Sequence, residues 1–140
     1  MIIKRTSSDK IVFVYTTCAN RDEARNLAFS TVNEKLAICA DFWSVESVYP
    51  WQGVLQNVNQ YMIVFTTKKK LSKKLADFIG GLHSYTVPMI CETETSFTNS
   101  TYVAWTSKTL SEKTKYLSQK EGIKRQRYEE EDGYHPGRLK

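Results

Sequence analysis

The sequence predicts an α+β domain, and three observations lead there. Segments whose hydrophobicity alternates with period 2 are interleaved with segments of period 3.6 along residues 10–110. Cap and turn residues fall between them, at Asn20, Gly53 and Gly80–Gly81. The 140 residues, 41% hydrophobic and 12% aromatic, suffice for one core and are too apolar for a disordered chain.

The first strand is Ile11 to Thr17, IVFVYTT, whose β-branched and aromatic residues predict a mostly buried position. Asn20 with Glu23 three residues later is a capping-box pair. The helix it opens runs through Lys35 with Ala24, Leu27, Ala28, Thr31 and Val32 on one face, and these small residues suit close packing on a sheet. Ile38 to about Tyr49 and Leu55 to Thr67 read as two further strands. The second contains YMIVF, apolar at both parities, which predicts cover on both faces or contact with another subunit. Between them VYPWQGVLQ, Val48 to Gln56, reads as a hairpin connection or a long bent β-arm, Gly53 accepting a positive φ and Pro50 pre-setting the bend.

TKKKLSKK, Thr67 to Lys74, opens a second helix carrying Leu71, Leu75, Phe78, Ile79 and Leu82 on one face, with Gly80–Gly81 closing it. Val87 to Thr95 predicts the last strand, Pro88 marking its start or an exposed edge. Asn99 to Leu110 gives a third helix with Tyr102, Trp105 and Leu110 roughly on one side. The first six elements match the split β-α-β order of a ferredoxin-like sandwich, in which two helices cover one face of an antiparallel sheet, and the third helix is an addition at the C-terminus. The uncovered face predicts oligomerisation if it carries the YMIVF or VYPW residues. From Ser111 apolar residues become sparse and KRQR is followed by EEED, so residues 10–110 form the domain and 111–140 a polar tail.

Composition narrows the function. The net charge of +5 is spread over both parts of the chain, and only the lysine cluster concentrates it. Five lysines in the first turns of a helix oppose its dipole; they read as a solvated face rather than as a nucleic-acid patch. The first thirty residues hold one short apolar run, Ile11 to Tyr15, so neither a membrane span nor a secretory signal is expected and the protein reads as cytoplasmic. Cys18, Cys39 and Cys91 cannot all pair within one chain and read as reduced thiols. No phosphate loop, nucleophile elbow or zincin motif is present.

His83, in GGLHSYTVP, has two readings. One is a ring that caps the helix end or bonds a backbone carbonyl; the other is a metal ligand, with Cys39, beside the second strand, as the candidate soft donor.

Four short motifs occur in order: VNEKLAICAD (Val32 to Asp41), SVYPWQG (Ser47 to Gly53), MIVFTT (Met62 to Thr67) and HSYTVP (His83 to Pro88). Together they resemble the CutA family of divalent-cation tolerance proteins, over roughly Lys10 to Leu110. The resemblance implies a ferredoxin-like fold and a homotrimer whose sheets associate edge to edge, with an architecture similar to that of PII signalling proteins. It implies a role in metal tolerance with copper or another divalent ion as ligand, and it brings no catalytic activity and no required cofactor. It also implies a cleft between subunits, walled by Tyr49, Trp51, Gly53, Tyr85 and Pro88, with His83 and Cys39 as candidate metal ligands. The chain departs from the family pattern at Asn57 and Asn59, where acidic residues are usual, at Phe65 for lysine, at Met89 for glutamate, and in DFWSVE, which replaces a Pro-Gly turn. Loss of carboxylates shifts any retained site toward soft ions such as copper. The alternative is a PII-like structural or signalling trimer that binds a small ligand or a protein partner without a physiological metal.

Overall fold

Local signals decide where each element begins, and the sheet decides how they stack. The structure, a computed structural model, describes residues 9–113 and residue 116; most of the predicted tail, with His135, lies outside the described residues. The elements are β1 (Ile11–Cys18), α1 (Arg21–Asn33), β2 (Cys39–Trp51), β3 (Val54–Lys68), α2 (Lys69–Leu82), β4 (Ile90–Glu94) and α3 (Ser100–Ser111). The four strands form one antiparallel sheet in the order β2-β3-β1-β4. That is the ferredoxin-like arrangement, with α3 added.

The cap read from sequence forms at the start of α1. Asn20 Oδ1 accepts the Glu23 N–H at 2.9 Å, while the Glu23 carboxylate reaches back to the Ala19 N–H, also 2.9 Å. At the other end Leu36 N–H bonds Thr31 O and Lys35 N–H bonds Val32 O, a Schellman closure with Lys35 in the left-handed region at φ 58.

Alternation along the strands selects the core. Val14 from β1 and Ile63 and Phe65 from β3 point toward the helices, where they meet Leu27 of α1 and Leu75 and Ile79 of α2. Ala24 of α1 is buried in the same cluster, and its small side chain lets the helix approach the sheet closely. The opposite parity of YMIVF, Met62 and Val64, is only half-buried. There α3 lies over one end, where Tyr102 and Phe97 enclose a pocket of about 370 Å³ with Phe13 and Thr66.

Three sequence expectations are corrected. Gly80 and Gly81 do not close α2; neither takes a positive φ, the helix continues to Leu82, and His83 is the extended residue that ends it. The last strand begins at Ile90 rather than Val87, because pairing with β1 stops at Thr16↔Ile90 and Pro88 has no N–H to extend it. Pro50 is not a bend: it lies inside β2 opposite Leu55, tolerated because β2 is an edge strand of this sheet. The reversal belongs to Gln52 and Gly53, with φ of 50 and 78, a two-residue turn whose twist suits a hairpin. A Cβ at Gly53 meets nothing within 4 Å, so Gly53→Ala is expected to lower stability through backbone strain alone, by about 1–2 kcal/mol in chemical denaturation. An unchanged midpoint would show that the turn relaxes freely.

Much of the lysine cluster is matched by carboxylates. Lys68 faces Asp9 at 3.7 Å with its side chain almost fully buried, Lys69 bridges Glu92 and Glu94, and Lys73 pairs with Asp77 one turn on.

Candidate functional site

β1 pairs with β3 only as far as Cys18↔Tyr61, whereas β2 and β3 continue together for seven further pairs, Val45↔Gln60 to Trp51↔Val54. The hairpin therefore projects roughly 20 Å past the end of β1. Its apolar residues face water: Val48 is 62% exposed, Trp51 46%, Val54 59% and Leu55 73%. A two-stranded ribbon of this kind is marginal alone in water.

At the root of the arm, the segment after α2 folds back over the end of β1. The Tyr85 N–H donates to His83 Nδ1 at 3.0 Å, so the ring carries its proton on Nε2. Nε2–H then donates to Thr17 O at 2.8 Å and approaches Thr16 Oγ1 at 3.1 Å; the Thr16 hydroxyl itself donates to Met89 O at 2.7 Å. The Tyr85 ring lies against the imidazole with centroids 5.0 Å apart, and its hydroxyl donates to Gln60 Oε1 at 2.8 Å, tying the loop to the base of the arm. Burial, then the neighbouring Tyr49 phenol, pushes the Tyr85 phenol above its ordinary pKa.

Glu23 holds the loop from the other side. Its carboxylate accepts both the N–H and the hydroxyl of Ser84 at 2.9 Å, in addition to the Ala19 N–H. Burial disfavours its charge, but these three hydrogen bonds outweigh that and keep its pKa below the usual carboxylate value. A depressed folded-state pKa stabilises the fold above the unfolded carboxylate range, and the stabilisation is lost as pH falls through the folded value. Glu23→Gln is thus expected to lose about 1 kcal/mol at neutral pH and much less below pH ~4. Urea unfolding of both chains across that range checks it; a pH-independent difference would remove the charge from the account.

The predicted site residues separate into groups. His83 and Tyr85 lie together at the arm's root, and Tyr49, opposite Gln56 farther out on the arm, has its phenol near enough to act on that of Tyr85. Trp51 and Gly53 occupy the arm's tip, and Pro88 lies in the irregular stretch before β4. Cys39 is elsewhere. It pairs with Thr66, whereas His83 bonds Thr16 and Thr17, which pair with Ile63 and Met62; the gap is on the order of 10 Å along the strands and two strands across. Its thiol donates to Asp41 at 3.6 Å, and burial with that carboxylate raises its pKa to about 11. His83 has no free lone pair and Cys39 keeps its proton, so within one protomer the two do not form a joint metal site. Among the described residues no three His, Cys, Asp or Glu side chains converge.

The substituted positions have clear places. Phe65 is fully buried in the core, where a lysine would need a partner. Asn57 Nδ2 donates to Glu46 Oε2 at 3.0 Å across the arm, so a carboxylate remains there although the β3 position is neutral.

The profile of the family described as CutA1 divalent ion tolerance protein matches residues 12–109. The chain belongs to the CutA1 family. Among CutA relatives, a chloroplastic protein CutA from Arabidopsis thaliana is 32% identical over 95 residues, covering 67% of this chain and 52% of that one. A divalent-cation tolerance protein CutA from Thermococcus kodakarensis is 29% identical over 99 residues, covering 71% and 95%. The match thus spans about half of the plant CutA and nearly all of the archaeal one. Among solved structures, CutA1 from Pyrococcus horikoshii superposes with TM-score 0.68 at 25% identity, covering 69% of this chain and 95% of that one. CutA from Synechococcus elongatus, at 24% identity and TM-score 0.71, shares the fold.

The CutA motifs are legible in the sequence, but their supports are not. Glu23 was legible as a cap, yet its bonds to Ser84 join residues 61 apart, and nothing in the sequence marks Gln60 as the acceptor of Tyr85.

Proposed function

We propose that the protein acts as a homotrimer of the divalent-cation tolerance type, binding rather than transforming its ligand in clefts beside the arm. The projecting hairpin with Val48, Trp51, Val54 and Leu55 exposed carries this reading: burying that apolar surface against neighbouring protomers is the economical remedy. Tyr49, Trp51 and Tyr85 then wall the cleft. A divalent ion is the ligand class that the family description supports, and copper is the ion this reading favours. Such an ion binds weakly, because His83 must release the Tyr85 N–H or the Thr17 carbonyl to coordinate it, and further donors must come from a neighbouring protomer. No described helix is long and apolar enough to cross a membrane, and the unpaired Cys18, Cys39 and Cys91 fit a reducing cytoplasmic setting.

The saturated ring of His83 also favours the second reading, a PII-like trimer in which imidazole and Tyr85 shape a pocket for a small ligand or partner without metal. Calorimetric titration of copper(II) into the full-length chain and into His83→Ala separates the two. Direct coordination predicts affinity about tenfold weaker in the variant, some 1.4 kcal/mol; equal affinity removes His83 as a ligand and leaves the second reading.

A further inference from the structure

Lys35 adopts a backbone conformation in which glycine is the usual occupant. Its φ of 58 closes the Schellman turn after α1, where a side chain is strained. The side chain is nevertheless engaged. Nζ donates to the carbonyl of Glu112, the capping residue of α3, and lies 4.7 Å from the centre of the Tyr116 ring. A cation at a helix C-terminus meets the negative end of the dipole, and one over a tyrosine face is held by the ring quadrupole. Tyr116 is half-buried there, and that burial, with Glu112 nearby, raises its phenol pKa. Both partners of Lys35 belong to the chain leaving the domain, and both lie at the end of α1 opposite Glu23 and the cleft.

We propose that Lys35 is a charge-dependent latch: it holds Glu112 and Tyr116 against the C-terminal end of α1. Removing its charge frees both residues and leaves the domain folded. The inference is independent of the metal reading, since no cleft residue takes part.

The test uses the full-length chain, following amide exchange over residues 112–116 and trace chymotrypsin cleavage after Tyr116. Lys35→Gln and Lys35→Arg share the strained turn and differ in charge. The first is expected to exchange and be cut about fivefold faster, and the second to stay within about twofold of the unmodified chain. Lys35→Gly relaxes the turn and should release the segment while α1 keeps its protection. Equal rates in all four chains, or release by Lys35→Arg as large as by Lys35→Gln, would overturn the latch.

Discussion

Trp51→Ala combined with Leu55→Ser is expected to convert the proposed trimer to monomers at micromolar concentration, with the ferredoxin-like body still folded. Among the described residues the outer arm pairs with no other strand: beyond Cys18↔Tyr61 its two strands pair only with each other, and both side chains are exposed. Removing an indole and a leucine from an interface costs about 2–4 kcal/mol for each hot spot, multiplied over symmetric contacts. The core, centred on Phe65, Ile63 and Leu75, is untouched, so far-ultraviolet circular dichroism should hardly change. Sedimentation velocity of both chains checks the result. A double variant that still sediments as a trimer would place the interface away from the arm tip.

Phe65→Ala is the substitution with the largest expected loss of fold stability. Phe65 is fully buried in β3, its backbone paired with Val14 of β1 on one side and Ala40 of β2 on the other. Truncating a buried phenylalanine removes about 3–5 kcal/mol, against a total of roughly 5–15 kcal/mol for a domain of this kind. Because the proposed association would stabilise the folded chain, both proteins should be unfolded at one fixed concentration. Phe65→Leu, which keeps most of the volume, should lose less than half as much. A loss below about 1 kcal/mol for alanine would mean that the sheet and helices can collapse into the space.

The fold was largely legible because local chemistry and global pattern agree here. IVFVYTT, the Asn20–Glu23 cap and the leucines of α2 each specify an element without reference to distant residues, and the order of elements then limits the topology. Errors arose where a residue type has two uses. Pro50 and Gly80–Gly81 are turn formers by propensity, but the edge position of β2 tolerates the proline and the backbone of α2 carries the glycines in helical geometry. Gln52 was missed because a positive φ at glutamine follows from the hairpin's twist rather than from its side chain.

The site was legible in part. His83 and Tyr85, two residues apart in the sequence, do lie together, but the role of the imidazole depends on bonds that spacing does not reveal. Whether Nδ1 is free depends on the Tyr85 N–H two residues away, and whether Nε2 is free depends on a carbonyl 66 residues earlier. Cys39, beside a strand in the sequence, turns out to be separated from His83 by the register of β3.

The central claim is that exposed apolar residues on the arm build a homotrimer. Native mass measurement of the full-length chain, purified without chelator, tests it most directly. The account predicts a species at three times the 16.2 kDa chain mass that persists at micromolar concentration; a monomer under those conditions would contradict it.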